Sequence, residues 1–266
     1  MVGFFCQARE FDKEYSEVRF FFSSRKSSEV IDGSLDESVN FLGRRMYIVA
    51  SSNGFLLIVV DLENQRAYYV CNPVTRQHLT VPVTRASSIS RAAVGFLCKV
   101  DDPEKDVIYF TIVRYALPWS DEPLIMSMVK IESFSSETNA WTTINLKLDV
   151  PLRMWYVNRI QSKPVGVIDG VFCWIDHSET IFYYDSVNRC FWDLELPLEM
   201  MIGGDTWFLG ISDGALYYAL CDKAEITVWC LESNIRSRDA VWVQEICCEF
   251  NRCTPKLLSW FRSFWL

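Results

Sequence analysis

Two histidines and ten cysteines are among the residues of this chain that could carry nucleophilic catalysis or bind a metal. His177 lies between Asp176 and Ser178, and these are the residue types of a hydrolytic triad. Adjacent residues of a tight turn point in different directions, however, and a triad is a spatial arrangement. We therefore interpret Asp176-His177-Ser178 as a hairpin tip. We place His78 in the polar turn after Asn72-Pro73, with a packing or surface role, and the sequence predicts no catalytic residues.

The remaining chemical motifs match no known type of cofactor site. Cys247-Cys248 and Cys253 lack the paired spacing of a structural zinc site, so we interpret Cys247 and Cys248 as strand residues. Gly203-Gly204-Asp205 matches no phosphate-binding loop. The acidic segment 101–105 lacks the spacing of a calcium-binding loop and is typical of a solvated hairpin tip. The sequence therefore predicts neither a metal nor a cofactor, and a protein that is not an enzyme.

Composition narrows the class of partner. The chain has 266 residues, of which 50% are hydrophobic, and a net charge of −8 from 26 basic and 34 acidic residues. Nucleic acids and anionic membranes attract the opposite charge, so we expect neither as a partner. The longest apolar run is Phe55–Val60, far shorter than the roughly 20 residues of a membrane-spanning helix. Without a signal-like start, we expect a cytoplasmic or nuclear protein with reduced cysteines.

Short segments rich in β-branched and aromatic residues dominate the chain. Val107–Val113, Thr180–Tyr184 and Ile226–Leu231 are typical of β-strands. The segment with the best helical pattern is Pro255–Trp265, and it is weak. The absence of a 3.6-residue period predicts an all-β protein.

Three segments repeat one local pattern: an apolar run, an Asx-Gly pair and a second apolar run. Asx-Gly favours the two-residue hairpin turn in which both central residues have positive φ. The sequence therefore predicts equivalent hairpins around three glycines. The segments are Val49–Ile58 with Gly54, Val165–Trp174 with Gly170, and Leu209–Tyr218 with Gly214.

A second pattern follows each hairpin and sets the size of the repeat. Tyr69 precedes Pro82 by 13 positions, as Tyr184 precedes Pro197, and Gly170 precedes Gly214 by 44. This spacing predicts four-stranded blades of a kelch-like β-propeller or an open propeller-like array, with a β-sandwich as the alternative. Gly95 marks one further blade, which carries a long loop around Tyr115–Pro123. We expect one domain, 1–266, with blades at about 45–85, 90–148, 160–200 and 205–250, and partial or closing strands in 1–44 and 251–266.

Several segments also carry a family resemblance. They are Ser51–Leu57 (SSNGFLL), Tyr69–Gln77 (YVCNPVTRQ), Gly3–Gln7 (GFFCQ), Ser34–Asp36 with Phe41-Leu42, Ser133–Trp141 and Ile226–Leu231. In them the chain resembles the F-box-associated domain of plant F-box proteins, from residue 3 to about residue 250. The resemblance implies a kelch-like β-propeller that selects client proteins for a cullin-type ubiquitin ligase. The alternatives are a truncated F-box-like protein that binds clients without ligase attachment, and a propeller-fold hydrolase.

Loop aromatics are the residues for which a recognition role is open. Trp119, Trp155 and Tyr156 lie in loops beside proline, arginine or methionine. They could anchor a protein interface, or they could fill the ends of the sheet array. We assign none of them to a site.

We expect the chain by itself not to bind a Skp-type adaptor with useful affinity. Residues 1–50 contain no F-box pattern, since Val18–Phe22 is typical of a strand and Arg25–Ser28 of a loop. Attachment to the Skp-type adaptor and cullin would require an F-box to be supplied. Biolayer interferometry against purified adaptor measures this, and micromolar or tighter binding would contradict the expectation.

Overall fold

A computed structural model describes most of the chain. The described residues are 2–8, 17–23, 30–34, 46–61, 65–84, 92–102, 107–116, 124–154, 163–175, 180–196, 206–212, 214–221, 225–232, 235–237 and 240–249. Within these ranges all regular structure is β-strand, so the all-β prediction is confirmed. The weak helix at 255–265 and the closing strands at 251–266 lie outside the described residues.

Nineteen strands in the described ranges form five sheets, whose strands are hydrogen-bonded in chain order. The N-terminal sheet contains β1 (Val2–Ala8), β2 (Glu17–Ser23) and β3 (Val30–Ser34). Sheet I contains β4 (Tyr47–Ser52), β5 (Phe55–Val59), β6 (Tyr68–Asn72) and β7 (Gln77–Val81). Sheet II contains β8 (Ala92–Asp102), β9 (Val107–Ala116), β10 (Leu124–Ser135) and β11 (Ala140–Met154). Sheet III contains β12 (Lys163–Ile168), β13 (Val171–Ile175), β14 (Thr180–Asp185) and β15 (Cys190–Glu195). Sheet IV contains β16 (Thr206–Ser212), β17 (Ala215–Cys221), β18 (Glu225–Leu231) and β19 (Trp242–Glu249).

The chain divides into two compact units. The first comprises residues up to 91 together with 98–108, and it contains the N-terminal sheet and sheet I. The second comprises residues 92–97 and 109–264, and it contains sheets III and IV. The three strands Val107–Val113, Thr180–Tyr184 and Ile226–Leu231 fall within β9, β14 and β18, as the sequence predicts.

Sheet III is buried on both faces within the second unit. All five residues of β13 are buried, and alternate side chains enter two different apolar clusters. Phe172 and Trp174 pack with Val113 and Tyr115 of sheet II, where the Tyr115 and Trp174 ring centroids are 5.1 Å apart. On the other face Cys173 joins a cluster with side chains of sheet IV. Burial of both faces explains why β13 has no polar residue at any position.

Gly95 lies inside β8, the first strand of sheet II, and so differs from the three glycines of the hairpin turns. A Cβ atom there would come within 2.5 Å of Phe172 Cδ1, so the residue is glycine because the aromatic ring of sheet III occupies that space. The long loop predicted at 115–123 is partly wrong, because Tyr115 is buried within β9. Much of the extra length of this repeat lies instead in β10 and β11, which have 12 and 15 residues.

A buried ion pair fixes the pairing of β9 with β10. Arg114 and Glu132 lie opposite each other across the two strands, and both side chains are 0% exposed. Arg114 Nε donates to Glu132 Oε2 at 2.6 Å, and the guanidinium lies 5.1 Å from the ring centroid of Trp141. Lys130 Nζ is 3.4 Å from Glu132 Oε1. A slip of one residue would leave two buried charges without these partners, so the pair specifies the register.

We expect Gly95→Ala to lower the free energy of unfolding by about 2 kcal/mol, because the new methyl group overlaps the Phe172 ring. Urea unfolding of the purified chain measures this. The control is the same change in a Phe172→Leu background, where the smaller side chain leaves room. The cost of Gly95→Ala should be smaller there, and an equal cost in both backgrounds would contradict the proposed overlap.

Candidate interaction surface at the turn end of the sheets

Several residues that could take part in chemistry lie within the strands of the sheets. His78 lies on β7 and is exposed, with its ring centroid 6.5 Å from that of Tyr69. Our placement of His78 in the turn is therefore wrong, because the turn ends at Arg76, one residue before β7 begins. It pairs with Cys71 as Trp141 pairs with Phe134 in sheet II. The surface role that we assign to it fits this position.

The cysteines that the structure describes in detail are free thiols. Cys71, Cys98, Cys173 and Cys230 are buried, and Cys190 is exposed. Burial raises the pKa of the Cys71 and Cys98 thiols to about 11 and that of Cys173 further still. These buried thiols stay protonated at neutral pH and are poor nucleophiles.

Other predicted features fall in strands or outside the described ranges. Cys247 and Cys248 lie in β19, and Asp101 and Asp102 end β8. Among the described residues no group of three or more histidine, cysteine or acidic side chains could hold a metal ion. Nor does that part of the chain contain a helix long and apolar enough to cross a membrane. His177 with its two neighbours, Trp119, Trp155, Tyr156, 103–105, 203–205 and Cys253 lie outside the described residues.

Two kinds of turn recur at one end of the four-stranded sheets. In an antiparallel meander, the turn between the first two strands and the turn between the last two strands are at the same end. We call this the turn end of a sheet. In sheets I, III and IV the first turn has positive φ values, which Gly and Asx residues adopt most readily. They are 48° and 79° at Asn53 and Gly54, 48° and 82° at Asp169 and Gly170, and 76° at Gly214. The prediction for the three glycines is confirmed.

The second turn repeats with the same geometry in sheets I, II and III. It has four residues, and the last of them has a positive φ, which is 61° at Arg76, 50° at Asn139 and 54° at Arg189. The residue before each turn accepts hydrogen bonds from the backbone of the turn. Asn72 Oδ1 accepts from the amides of Val74 and Thr75 at 3.0 and 3.3 Å. This is the physical basis of the Asn-Pro and Asp-Ser pattern in the sequence.

Sheet III carries the most complete version of this turn. Asp185 Oδ1 accepts from the amides of Val187 and Asn188 at 2.8 and 3.0 Å, and its Oδ2 accepts from Asn188 Nδ2 at 2.7 Å. Ser186 then joins the two turns, since its amide and its Oγ both donate to Gly170 O, at 3.2 and 2.8 Å. The two turns of sheet III therefore form one hydrogen-bonded unit.

Sheet IV replaces the second turn with a longer connection, 232–241. The amide of Glu232 donates to Val241 O at 2.9 Å and closes the connection at its base. Ile235 is buried in the cluster between sheets III and IV. Next to it, Arg236 Nε donates to Asp185 Oδ2 at 2.7 Å, and Arg236 Nη2 donates to Asp169 O. One side chain of sheet IV therefore binds both turns of sheet III.

Asp185 is the electrostatic centre of this arrangement. Burial of the carboxyl would raise its pKa, but hydrogen bonds from Asn188, Arg236 and Val187 favour the charged form and leave the pKa below its ordinary value. Sequence reasoning identified the Asp185 turn and missed Arg236. The sequence indicated only that 232–241 is an insertion, and an insertion alone does not indicate which residues its arginine contacts.

Apolar side chains lie exposed at the tips of these rigid turns. Val74 is 87% exposed and Val187 is 73% exposed, and each is the second residue of its turn. A fixed backbone that presents apolar tips can bind a protein surface at small entropic cost. This arrangement offers recognition and no evident chemistry.

The sequence of the chain matches the family described as F-box protein At3g26010-like, beta-propeller, over residues 32–251. The chain belongs to this family. Its four-stranded sheets in chain order are those expected of propeller blades. The prediction of an F-box-associated β-propeller is therefore confirmed at the level of the family and the fold.

Two Arabidopsis thaliana relatives are similar over most of the chain. F-box protein At5g03970 is 27% identical over 199 residues, which are 74% of this chain and 44% of the relative. F-box protein At5g49610 is 26% identical over 208 residues, which are 74% of this chain and 55% of the relative. The chain thus spans about half the length of the curated relatives it matches. The solved complex of KlAtg21 with coiled-coil of AgAtg16 is 12% identical, covers 87% of this chain and 77% of the other, and has a TM-score of 0.33, too low to carry an argument.

We expect Asp185→Ala to lower the free energy of unfolding by about 3 kcal/mol at neutral pH, because it removes the turn acceptor and the partner of Arg236. Asp185→Asn should cost less, since Asn72 serves the same turn in sheet I. Because the pKa of Asp185 is lowered on folding, its contribution is present above about pH 4 and is lost as the pH falls through the folded value.

Urea unfolding of the wild type and Asp185→Asn between pH 7 and pH 3 measures this linkage. The difference between the two proteins should shrink towards acidic pH. Glu137→Gln, in the equivalent turn of sheet II, is the matched control and should show a smaller change, because Glu137 is exposed. A difference that is independent of pH would contradict the role of the charged form.

Proposed function

We propose that this chain is the client-recognition part of an F-box protein and selects proteins for ubiquitylation by a cullin-type ligase. The observation that carries the proposal is membership of the F-box protein propeller family over residues 32–251. The two named relatives are F-box proteins, and they support the same assignment. In this proposal an F-box segment would contact the Skp-type adaptor and the propeller would contact the client.

The chemistry of the described residues supports binding over catalysis. The thiols of Cys71, Cys98 and Cys173 are held in the protonated form by burial. The most conspicuous charged groups, Arg114 and Glu132, are fully buried and cannot meet a substrate. We therefore propose that the chain is not an enzyme, and that it acts in the cytoplasm or nucleus.

A chimeric receptor tests the proposal. The F-box segment of one relative is fused before residue 1, and the chimera is expressed in plant cells with and without a proteasome inhibitor. We expect a small set of proteins that co-purify with the chimera to accumulate under the inhibitor. The same proteins should become ubiquitylated when the purified chimera is combined with adaptor, cullin and ubiquitin-conjugating enzymes.

The control is the same chimera with Gly170→Val. This change places a β-branched residue at a φ of 82° and should destabilise the turn end of sheet III without touching the F-box. Adaptor binding should survive, and the client set should be lost. If the wild-type chimera binds the adaptor but no co-purified protein is ubiquitylated or accumulates, the proposed function is wrong.

A further inference from the structure

The first turn of sheet I contains the only Asn-Gly pair of the amino-acid sequence. Asn53 and Gly54 are both exposed, and both have positive φ. The pairing of β4 with β5 ends at Ser52 and Phe55, so the amide of Gly54 takes no part in it. Apart from its chain neighbours, no atom of the described residues lies within 4 Å of the position that a Cβ atom of Gly54 would occupy. Solvent therefore reaches the backbone nitrogen that follows Asn53.

This exposed pair suits one covalent reaction, the deamidation of asparagine. The Gly54 nitrogen gives up its proton to a base and bonds to Asn53 Cγ, and the Cγ–Nδ2 bond breaks. Nδ2 takes up a proton and leaves as ammonia, so that a five-membered succinimide ring remains. Water then opens the ring at one of its two carbonyl carbons, and the product is aspartate or isoaspartate. Glycine favours the ring, because it has no Cβ atom that hinders the approach of its nitrogen.

The Asn53 side chain also has a structural partner in β8. Asn53 Nδ2 donates to Cys98 O at 2.6 Å, and the amide of Cys98 donates to Ser52 Oγ at 3.0 Å. Two adjacent side chains of the turn thus bind both backbone groups of one buried residue. Cys98 belongs to the same compact unit as the turn. We call these two hydrogen bonds the Cys98 clamp.

We propose that Asn53 deamidates in the folded chain and that the reaction opens the Cys98 clamp. The amide of Asn53 donates to Cys98 O, whereas the carboxylate that replaces it is an acceptor only. A carboxylate oxygen would then face a carbonyl oxygen, and the two repel each other. Isoaspartate also adds a methylene group to the backbone of a two-residue turn and so displaces the turn from β8. Because the loss of ammonia is irreversible, the state of the clamp distinguishes an old copy of the chain from a new one.

The Cys98 clamp also controls the rate of the reaction. The Asn53 amide must leave Cys98 O and turn towards Gly54 before its Cγ atom can be attacked. Deamidation therefore proceeds during transient openings of the turn, and it is slower in the folded chain than in the unfolded chain. The same two hydrogen bonds thus delay the reaction and are lost through it.

Two other turns contain an asparagine that serves as an internal reference. Asn72 precedes Pro73, whose nitrogen carries no proton and cannot form the ring by this path. Asn139 is exposed at a φ of 50°, close to the 48° of Asn53, but it precedes Ala140, which has a Cβ atom. The residue that follows the asparagine therefore separates the reactive turn from these two.

Ageing of the full chain tests the reactivity. The purified chain is incubated at mildly alkaline pH with and without urea, and peptide mapping by mass spectrometry follows the conversion of each asparagine. In the folded chain we expect Asn53 to convert several-fold faster than Asn139, with no conversion at Asn72, and urea should accelerate the reaction at Asn53. The proposal is overturned if Asn53 converts only in urea, or if Asn139 converts as fast. An equal rate at Asn53 with and without urea would contradict control by the clamp.

The variant Asn53→Asp reproduces the product and tests its consequence. Aspartate fits this backbone, because Asp169 has the same φ of 48° in the equivalent turn of sheet III. An effect of the variant therefore comes from the lost donor and the added charge. In hydrogen exchange the Cys98 amide should exchange about tenfold faster than in the wild type, because the clamp no longer protects it.

Asn139→Asp is the matched control, since it adds the same charge at another exposed turn residue with positive φ. Exchange at Cys98 should keep the wild-type rate in this variant. The aged wild-type chain supplies a second measurement that does not require Asn53→Asp to fold: the fraction converted at Asn53 should carry the faster exchange. If Cys98 exchanges at the wild-type rate in the aged, converted chain, the reaction does not open the clamp and the proposal is wrong.

Discussion

Burial of both faces of a four-stranded sheet is the constraint on which the second unit depends. In β13, Phe172 and Trp174 meet one neighbouring sheet while Cys173 and Ile175 meet the other. A strand in this position cannot alternate apolar with polar residues, so its sequence is apolar throughout. Polar groups inside such a stack need a partner of their own, which Arg114 and Glu132 provide for each other. Polar side chains that recognise a partner are therefore expected at the ends and edges of the sheets.

At the ends of the sheets, the polar groups of the turns find their partners in short hydrogen-bond networks. Asp185 satisfies the amides of its turn, Ser186 ties that turn to Gly170, and Arg236 joins both to sheet IV. Together these bonds hold the two hairpin turns of sheet III in one conformation. The exposed valine at the tip of the turn is held at a defined position for the same reason.

The repeat was predictable because it depends on backbone conformation. Positive φ at Gly54, Gly170 and Gly214 selects Asx-Gly directly, and strands such as β14 follow from their β-branched and aromatic residues. The sequence does not reveal why position 95 is a glycine, because the reason is the ring of Phe172 on another sheet, more than 70 positions away. The contacts of Arg236 were out of reach for the same reason. Both depend on which elements become neighbours, and no local pattern records that.

The connection between β18 and β19 shows how freely this framework can change at its turn ends. Sheets I to III close the last two strands with four residues, whereas sheet IV uses the ten residues 232–241, and pairing resumes at once with Leu231 opposite Trp242. Lengthening a loop from four residues to ten costs only about 0.8 kcal/mol in closure entropy. The burial of Ile235 offsets a cost of that size. New sequence can thus be inserted at this end without loss of the sheet beneath it, and a propeller of this kind can acquire new specificities by insertion while its core stays unchanged.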